Sequence, residues 1–305
     1  MLSFGPARKS TIVLLIVLTF FLMASGAIRQ AGRGSSGRRV VTLNVIAHAP
    51  GDRQITKEDF ELYDSGTVQE IESFSRVDSG SLIVLMVDGS TSLRAEAEAL
   101  KKTVEAVVSE LYADDQMMVV GFNESAEIIE DMTPDLKVLE AASGKLTRKG
   151  FPNLFDALVA VTDSMSHQAK RGIEKQAIIL VSDGYDSESK TKFDDALRAL
   201  QDENIVLYAI QTPDRTRGAL LRDKPKPPIV LERITQGTGG TVFPFDKASE
   251  AAKTIADDLR KNWYRLVYSP SGINTINTRR LLLMSHDKTI ELRTKGSHPS
   301  KYHAN

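Results

Sequence analysis

From Val40 onward two hydrophobic periodicities succeed one another along the chain. Val41, Leu43 and Val45 recur at every second residue with Thr42 and Asn44 between them, the alternation of a half-buried strand. Phe60 and Leu62, an Asp64-Ser65-Gly66 turn, then Val68, Ile71 and Phe74 read as strand, tight turn and strand. After Ser79-Gly80-Ser81 the texture changes. Short, nearly continuous apolar runs at 82–87, 117–120, 177–181 and 205–210 predict parallel strands covered on both faces. Between them lie helical spacings: Leu93, Ala97, Leu100, Val104, Val107, Val108 and Leu111; then Leu154, Ala157, Leu158, Val161 and Met165; then Phe193, Ala196, Leu197 and Leu200. The alternation predicts an α/β fold with a doubly wound, mostly parallel sheet flanked by helices. A ligand site in such a sheet lies beyond the C-terminal ends of the strands.

A last strand is expected at 241–243 and a last helix at 248–259. Residues 263–268 and 280–284, with Ile290 and Leu292 behind them, suggest further antiparallel strands. The N-terminal β unit and this tail are each too small to bury a core alone, so they are expected to pair into a small accessory β-sheet. The stretch 214–228 reads as a long exposed loop. Its charges, among them Arg215, Arg217, Arg222, Lys224 and Lys226, are either solvated or a partner surface. At the N-terminus, Arg8 and Lys9 precede an apolar run over 12–23 and the small residues Ala24, Ser25, Gly26 and Ala27, the arrangement of a secretory signal. The apolar count from 11 to 28 also reaches bilayer length, which leaves an uncleaved anchor open. The expected organisation is a signal peptide or signal anchor at 1–27, a flexible linker at 28–39, the N-terminal β unit at 40–78, the main domain at 79–262, and a C-terminal β unit and tail at 263–305. The protein is expected to be exported, periplasmic or extracellular, or anchored by its N-terminal segment.

Composition narrows the chemistry. With 41% hydrophobic and 26% charged residues, the 305-residue chain is that of a folded protein rather than a disordered one. Lys plus Arg at 39 against Asp plus Glu at 40 leaves a formal charge of -1, without the basic field that nucleic-acid binding needs. The absence of cysteine excludes disulfides, thiolate metal sites and thiol nucleophiles. No strand is followed by G-x-G-x-x-G, and neither a P-loop nor a G-x-S-x-G elbow is present. A phosphatase of the haloacid-dehalogenase type needs a second Asp two residues after the first, where this chain has Ser90. His48, His167, His286, His298 and His303 are scattered, and Asp131, Asp135, Asp186, Asp194 and Asp195 suit turns, caps or solvated faces. No general acid and base pair emerges, so the chain is expected not to be an enzyme.

One strand end carries candidate chemistry. The run 82–87 leads into Asp88-Gly89-Ser90-Thr91-Ser92, a carboxylate and two hydroxyls spaced two apart at a strand-to-helix turn. Oxygen ligands of this kind suit a hard divalent cation, although Asp and Ser are equally at home as helix N-caps. The run 177–181 ends in Ser182-Asp183-Gly184 and brings a second carboxylate to the same edge of the sheet.

These segments, together with Gly121-Phe122-Asn123 and Leu154-Phe155-Asp156-Ala157-Leu158, resemble a von Willebrand factor type A domain over about residues 81–259. The flanks, with Thr56-Lys57-Glu58-Asp59-Phe60, Ile71-Glu72-Ser73-Phe74 and Tyr264-Arg265-Leu266-Val267-Tyr268-Ser269-Pro270, are similar to the exported bacterial proteins of the von Willebrand factor A-related group. The resemblance implies a Rossmann-like fold and a metal-ion-dependent adhesion site, with Asp88, Ser90, Ser92 and Asp183 as ligands of Mg²⁺ or Mn²⁺. It also implies a non-enzymatic module that binds a protein partner through an acidic side chain. Where the family carries a threonine before the second helix, this chain reads Gly150-Phe151-Pro152-Asn153. Pro152 at that position has no side-chain oxygen, and Asn153 offers an amide oxygen one residue on. The alternative is a structural or assembly protein with a decayed metal site, binding through its accessory sheet or basic loop.

Overall fold

A computed structural model describes residues 40–51, 53–169, 175–219, 224–273 and 278–298. The expected signal segment (1–27) and linker (28–39), Arg222 and His303 lie outside the described residues. The N-terminal flank forms β1 (Val41–His48), β2 (Phe60–Asp64), β3 (Thr67–Gln69) and β4 (Ile71–Arg76). The main domain runs through β5 (Ser81–Asp88), α1 (Ala97–Ser109), β6 (Gln116–Phe122), β7 (Ala126–Thr133), α2 (Leu136–Ala142), α3 (Leu154–Ala169), β8 (Lys175–Ser182) and α4 (Phe193–Asp202). It continues with β9 (Val206–Gln211), α5 (Pro227–Thr238), β10 (Val242–Pro244) and α6 (Ala248–Lys261). The tail adds β11 (Trp263–Tyr268), β12 (Arg279–Ser285), β13 (Glu291–Thr294) and β14 (Ser297–His298).

The central sheet has the order β10-β9-β8-β5-β6-β7, parallel except for β7, which pairs antiparallel with β6. Every residue of β5 and β8 is buried, as their unbroken apolar runs require of strands covered on both sides. The two faces divide by residue parity. Ile83, Leu85 and Val87 pack in a layer with Val104 and Val108 of α1 and Ala251 and Ile255 of α6. Leu82, Val84 and Met86 pack in the other layer with Leu158 and Val161 of α3, Leu200 of α4 and Ile234 of α5. Because β5 lies between β8 and β6, the strand order reverses beside it, and the crevice above the C-terminal ends of β5 and β8 is where an open α/β sheet places a ligand.

Helix α1 begins at Ala97, one turn after the helical spacing that starts at Leu93. The chain must first turn over the end of β5: Leu93 N–H donates to the Ser90 carbonyl at 3.3 Å, and Leu93 is buried from within the loop. Strand β7 and helix α2 carry too few buried residues to show a sequence period. The flanks do pair, but as two four-stranded antiparallel sheets rather than one, ordered β13-β1-β11-β4 and β14-β12-β2-β3. A single sheet would leave its apolar face wet. With two, Leu43, Val45 and Leu266 from the first sheet close on Leu62, Leu281 and Leu283 from the second. Ile46 and Trp263 of the first sheet also join the core shared with α6, tying the flanks to the main domain.

Candidate functional site at the strand ends of the central sheet

Strand β5 delivers Asp88 fully buried at its last position. Gly89 follows because nothing larger fits: a Cβ there would lie 2.8 Å from the Thr147 carbonyl oxygen. Its N–H donates to the Phe122 carbonyl at 2.7 Å, and Thr91 N–H donates to the Gly150 carbonyl at 3.1 Å, so the loop is stitched to its neighbours on both sides. Asp88 Oδ1 accepts from the Ser90 main chain at 2.9 Å and from Ser90 Oγ at 2.5 Å, and Asp88 Oδ2 accepts from Ser182 Oγ at 3.2 Å. Next to it β8 ends in Ser182, and Asp183 follows, also fully buried. Gly184 then adopts φ +85°, and a Cβ on it would stand 2.5 Å from the Pro227 carbonyl oxygen at the start of α5. Asp88, Ser90, Ser92 and Asp183 thus meet at one place.

The group between them is the guanidinium of Arg215, from the loop after β9. Its Nε donates to Asp183 Oδ2 at 2.8 Å, and its Nη2 donates to Asp183 Oδ1 at 2.8 Å and to Asp88 Oδ2. Nη1 donates to Ser90 Oγ at 2.8 Å and to Ser92 Oγ at 2.7 Å. Even the main-chain N–H of Arg215 donates to Asp183 Oδ2 at 2.9 Å. The side chain is only 6% exposed. Burial opposes its charge, but the hydrogen bonds it donates to Asp183 and the charge of Asp88 outweigh that and raise its pKa above the ordinary arginine value. The loop is held in turn by Asp214, which accepts from Thr216 N–H at 2.8 Å and Gly218 N–H at 3.0 Å. Desolvation works to raise the Asp214 pKa, but a hydrogen bond from the Thr216 hydroxyl at 2.7 Å and those from the two N–H groups hold it below the usual carboxylate value.

Such an arrangement does not fit a divalent cation. A guanidinium has five N–H donors and an ionised carboxylate about four lone-pair positions. All of the Arg215 donors are engaged, and each oxygen of Asp88 and Asp183 already accepts two hydrogen bonds, the last of them Tyr185 N–H to Asp183 Oδ1 at 3.1 Å. Among the described residues, no group of three or more His, Cys, Asp or Glu side chains is disposed to hold a metal ion. The two residues of the α3 approach add no oxygen to the cluster. Pro152 is buried and its carbonyl accepts from Ser187 N–H at 2.7 Å. Asn153 directs its amide oxygen to Glu188 N–H at 3.2 Å and its amide nitrogen to the Glu124 carbonyl at 3.4 Å.

The expectation that the charges of 214–228 are either solvated or a partner surface does not hold for Arg215, whose side chain is buried in the cluster. A signal was there: the loop follows a strand that neighbours β8 and so leaves the sheet at the same edge as Asp183. Two carboxylates short of one oxygen ligand, with five basic residues in an adjacent loop, could have pointed to it. Asp186 is more than a turn residue, since it accepts from Phe155 N–H at 3.2 Å and so caps α3 from across the loop. Asp135 caps α2, accepting from Lys137 N–H and Val138 N–H.

A doubly wound sheet with a polar cluster at its strand-order reversal defines a protein of the open α/β class. The chain belongs to the von Willebrand factor type A domain family, whose family model matches residues 83–258. Domains of this family are generally non-enzymatic interaction modules. Among solved structures, a von Willebrand factor type A protein from Catenulispora acidiphila is similar in fold, with 15% sequence identity and a TM-score of 0.50 over 79% of this chain and 72% of that one. The conserved hypothetical protein BatB from Bacteroides thetaiotaomicron shares 18% identity at a TM-score of 0.48, covering 60% of this chain and 98% of its own. An aerotolerance-related membrane protein from Bacteroides fragilis shares 16% identity at a TM-score of 0.47, covering 60% and 100%. No curated protein matches the chain. Among the described residues no helix is long and apolar enough to cross a membrane.

Proposed function

We propose that the chain is an exported or membrane-tethered, non-enzymatic protein-binding module whose partner docks on the loops around Asp88 and Asp183. The observation that supports this most is the rim of that site. Phe151, next to Gly150, is 59% exposed, and Thr91 and Ser92 are exposed with it. A large aromatic side chain held in solvent above a built polar cluster is the kind of anchor that protein interfaces use. Export rests on the sequence features ahead of residue 28. The test is capture from membrane and periplasmic fractions with the wild type beside Phe151→Asp and Thr91→Arg. A partner retained by the wild type and lost with both variants, at unchanged melting temperature, supports the strand-end face; equal retention by all three refutes it.

A second reading has its own observation. Leu282 and Met284 on β12 and Val68 on β3 are 54%, 46% and 54% exposed on the sheet β14-β12-β2-β3, and Tyr63 of β2 lies opposite both Leu282 and Val68. Such a patch suits an assembly role through the accessory sheets. Leu282→Glu with Met284→Glu separates the readings, because it removes a partner held by this sheet and spares one held by the Phe151 rim.

A further inference from the structure

We infer that Arg215 is the resident cation of the strand-end site, standing in place of a divalent metal ion, so that the cluster is complete without metal and its top face works independently of Mg²⁺ and Mn²⁺. The geometry behind this is the match between donors and acceptors. Asp88 and Asp183 bring two negative charges into a buried position, where an unpaired carboxylate is costly. An octahedral cation would meet them with a few short bonds and bound water. The guanidinium meets them with a planar fork, reaching both carboxylates through Nη2 and both serine hydroxyls through Nη1. Ser90 Oγ can donate to Asp88 while accepting from Arg215, so the polar groups are satisfied without water.

Three neighbouring features make the arrangement a built one. Asp214 holds the turn that carries Arg215, and the Asp214 carbonyl accepts from Arg94 Nη1 at 3.1 Å, which ties the Arg215 loop to the Ser90–Ser92 loop. Tyr185 lies with its ring centroid 5.2 Å from the Arg215 guanidinium carbon and 5.6 Å from Lys224 Nζ, so an aromatic ring attends the buried cation. Pro152 gives the site no oxygen, so a metal in this place would lack the ligand that the arginine makes unnecessary.

The consequence for recognition rests on the proposed binding role. With every N–H of the guanidinium engaged, no donor is left for an acidic side chain of a partner, so contact passes to the rim of Phe151, Thr91 and the Arg215 loop. Metal-independence itself needs no partner, and titration of the full chain with Mn²⁺ or Mg²⁺ alone tests it. The wild type is expected to give no binding heat and no shift in melting temperature with either ion at millimolar concentration. Arg215→Ala frees two carboxylates and two hydroxyls, and is expected to gain Mn²⁺ binding and an Mn²⁺-dependent rise in melting temperature, both lost again in Arg215→Ala/Asp88→Ala. Should Arg215→Ala fold only in the presence of Mn²⁺, that too supports the assignment. Mn²⁺ binding by the wild type that Asp88→Asn abolishes would overturn it, whether or not the arginine variant folds. So would an Arg215→Ala protein that neither binds Mn²⁺ nor is rescued by it. If the titrations come out as expected while Phe151→Asp leaves partner capture intact, the resident cation stands and the docking role falls.

Discussion

Two buried ion-paired centres in this protein use the same chemistry to different ends. In the flanking sheets Asp64, fully buried, accepts from Tyr268 Oη at 2.7 Å and forms an ion pair with Arg279 Nη1 at 3.2 Å, one carboxylate facing one guanidinium. At the strand ends Asp88 and Asp183 share Arg215, two carboxylates facing one guanidinium. The first centre is neutral and holds together strands from the two ends of the chain. The second keeps a negative excess and sits at the edge of the sheet where loops reach solvent. A pair serving stability alone gains nothing from an uncompensated charge. Two carboxylates converging on one spot make the strand ends a place for a cation, and the loop after β9 supplies one in Arg215.

The largest effect should come from removing each arginine in turn. Arg279→Ala leaves Asp64 buried with only hydroxyl partners and should cost about 3–5 kcal/mol, the usual loss on breaking a buried pair. Arg215→Ala should cost a similar amount in metal-free buffer. Urea unfolding with and without Mn²⁺ then separates the two centres, because the ion should restore stability to the Arg215 variant and not to the Arg279 variant. Rescue of both would mean that Mn²⁺ stabilises the fold elsewhere, and the contrast would fail.

A smaller effect tests the neutral centre through its phenol. Burial, followed by the hydrogen bond to Asp64, raises the Tyr268 pKa well above its ordinary value; burial and the charge of Asp258 do the same for Tyr208, whose hydroxyl donates to Asp258 Oδ2 at 3.0 Å. Each phenol stays protonated in the folded state at a pH where the unfolded chain has lost that proton. Their contribution is therefore complete below an ordinary tyrosine pKa of about 10 and is lost as pH rises beyond it. Tyr268→Phe should cost about 1.5–3 kcal/mol at neutral pH, the range for a hydrogen bond to a charged group, and should flatten the alkaline decline. Unfolding free energies between neutral pH and the alkaline limit check both. An unchanged alkaline slope would show that Tyr268 does not carry the linkage.

The same comparison explains what the sequence disclosed. Asp88, Ser90 and Ser92 sit within five residues of one another after an apolar run, so a local pattern exposes them, and Asp183 follows the apolar run of the neighbouring strand, one residue past the level of Asp88. The parallel strands were legible for the same reason, since burial on both faces leaves long apolar runs. Arg279 comes to Asp64 through the pairing of β12 with β2, and Tyr268 through the packing of one flanking sheet on the other, so the three leave no local trace. The division of the flanks into two sheets is likewise a matter of which strand pairs with which, and alternation fixes only which face is apolar. Arg215 falls between these cases. Its position in a loop is evident, but its direction is set by Asp214 and the turn after β9, and a basic loop reads as solvated until that turn is known.

The smallest effect concerns Asn153, the residue that offers an amide oxygen beside Pro152. In the structure that oxygen accepts from Glu188 N–H at 3.2 Å and the amide nitrogen reaches the Glu124 carbonyl at 3.4 Å, so the side chain bridges two loops and does not enter the cluster. Both contacts are long and partly exposed, and Asn153→Ala should cost only about 0.5–1.5 kcal/mol, the ordinary net worth of such hydrogen bonds. The decisive measurement is made with Arg215→Ala, where a cation can enter. If Asn153 only bridges loops, adding Asn153→Ala lowers the melting temperature slightly and leaves Mn²⁺ affinity as it was, because Asp88, Ser90, Ser92 and Asp183 supply the protein ligands and water the rest. If the amide swings inward once the guanidinium is gone, affinity falls along with stability. Replacing Pro152 by Thr in the same background supplies the missing hydroxyl instead, and should tighten Mn²⁺ binding only when Arg215 is absent. Tightening in the wild-type background would place the ion and the guanidinium in the site together, and the division between the two buried centres would have to be redrawn.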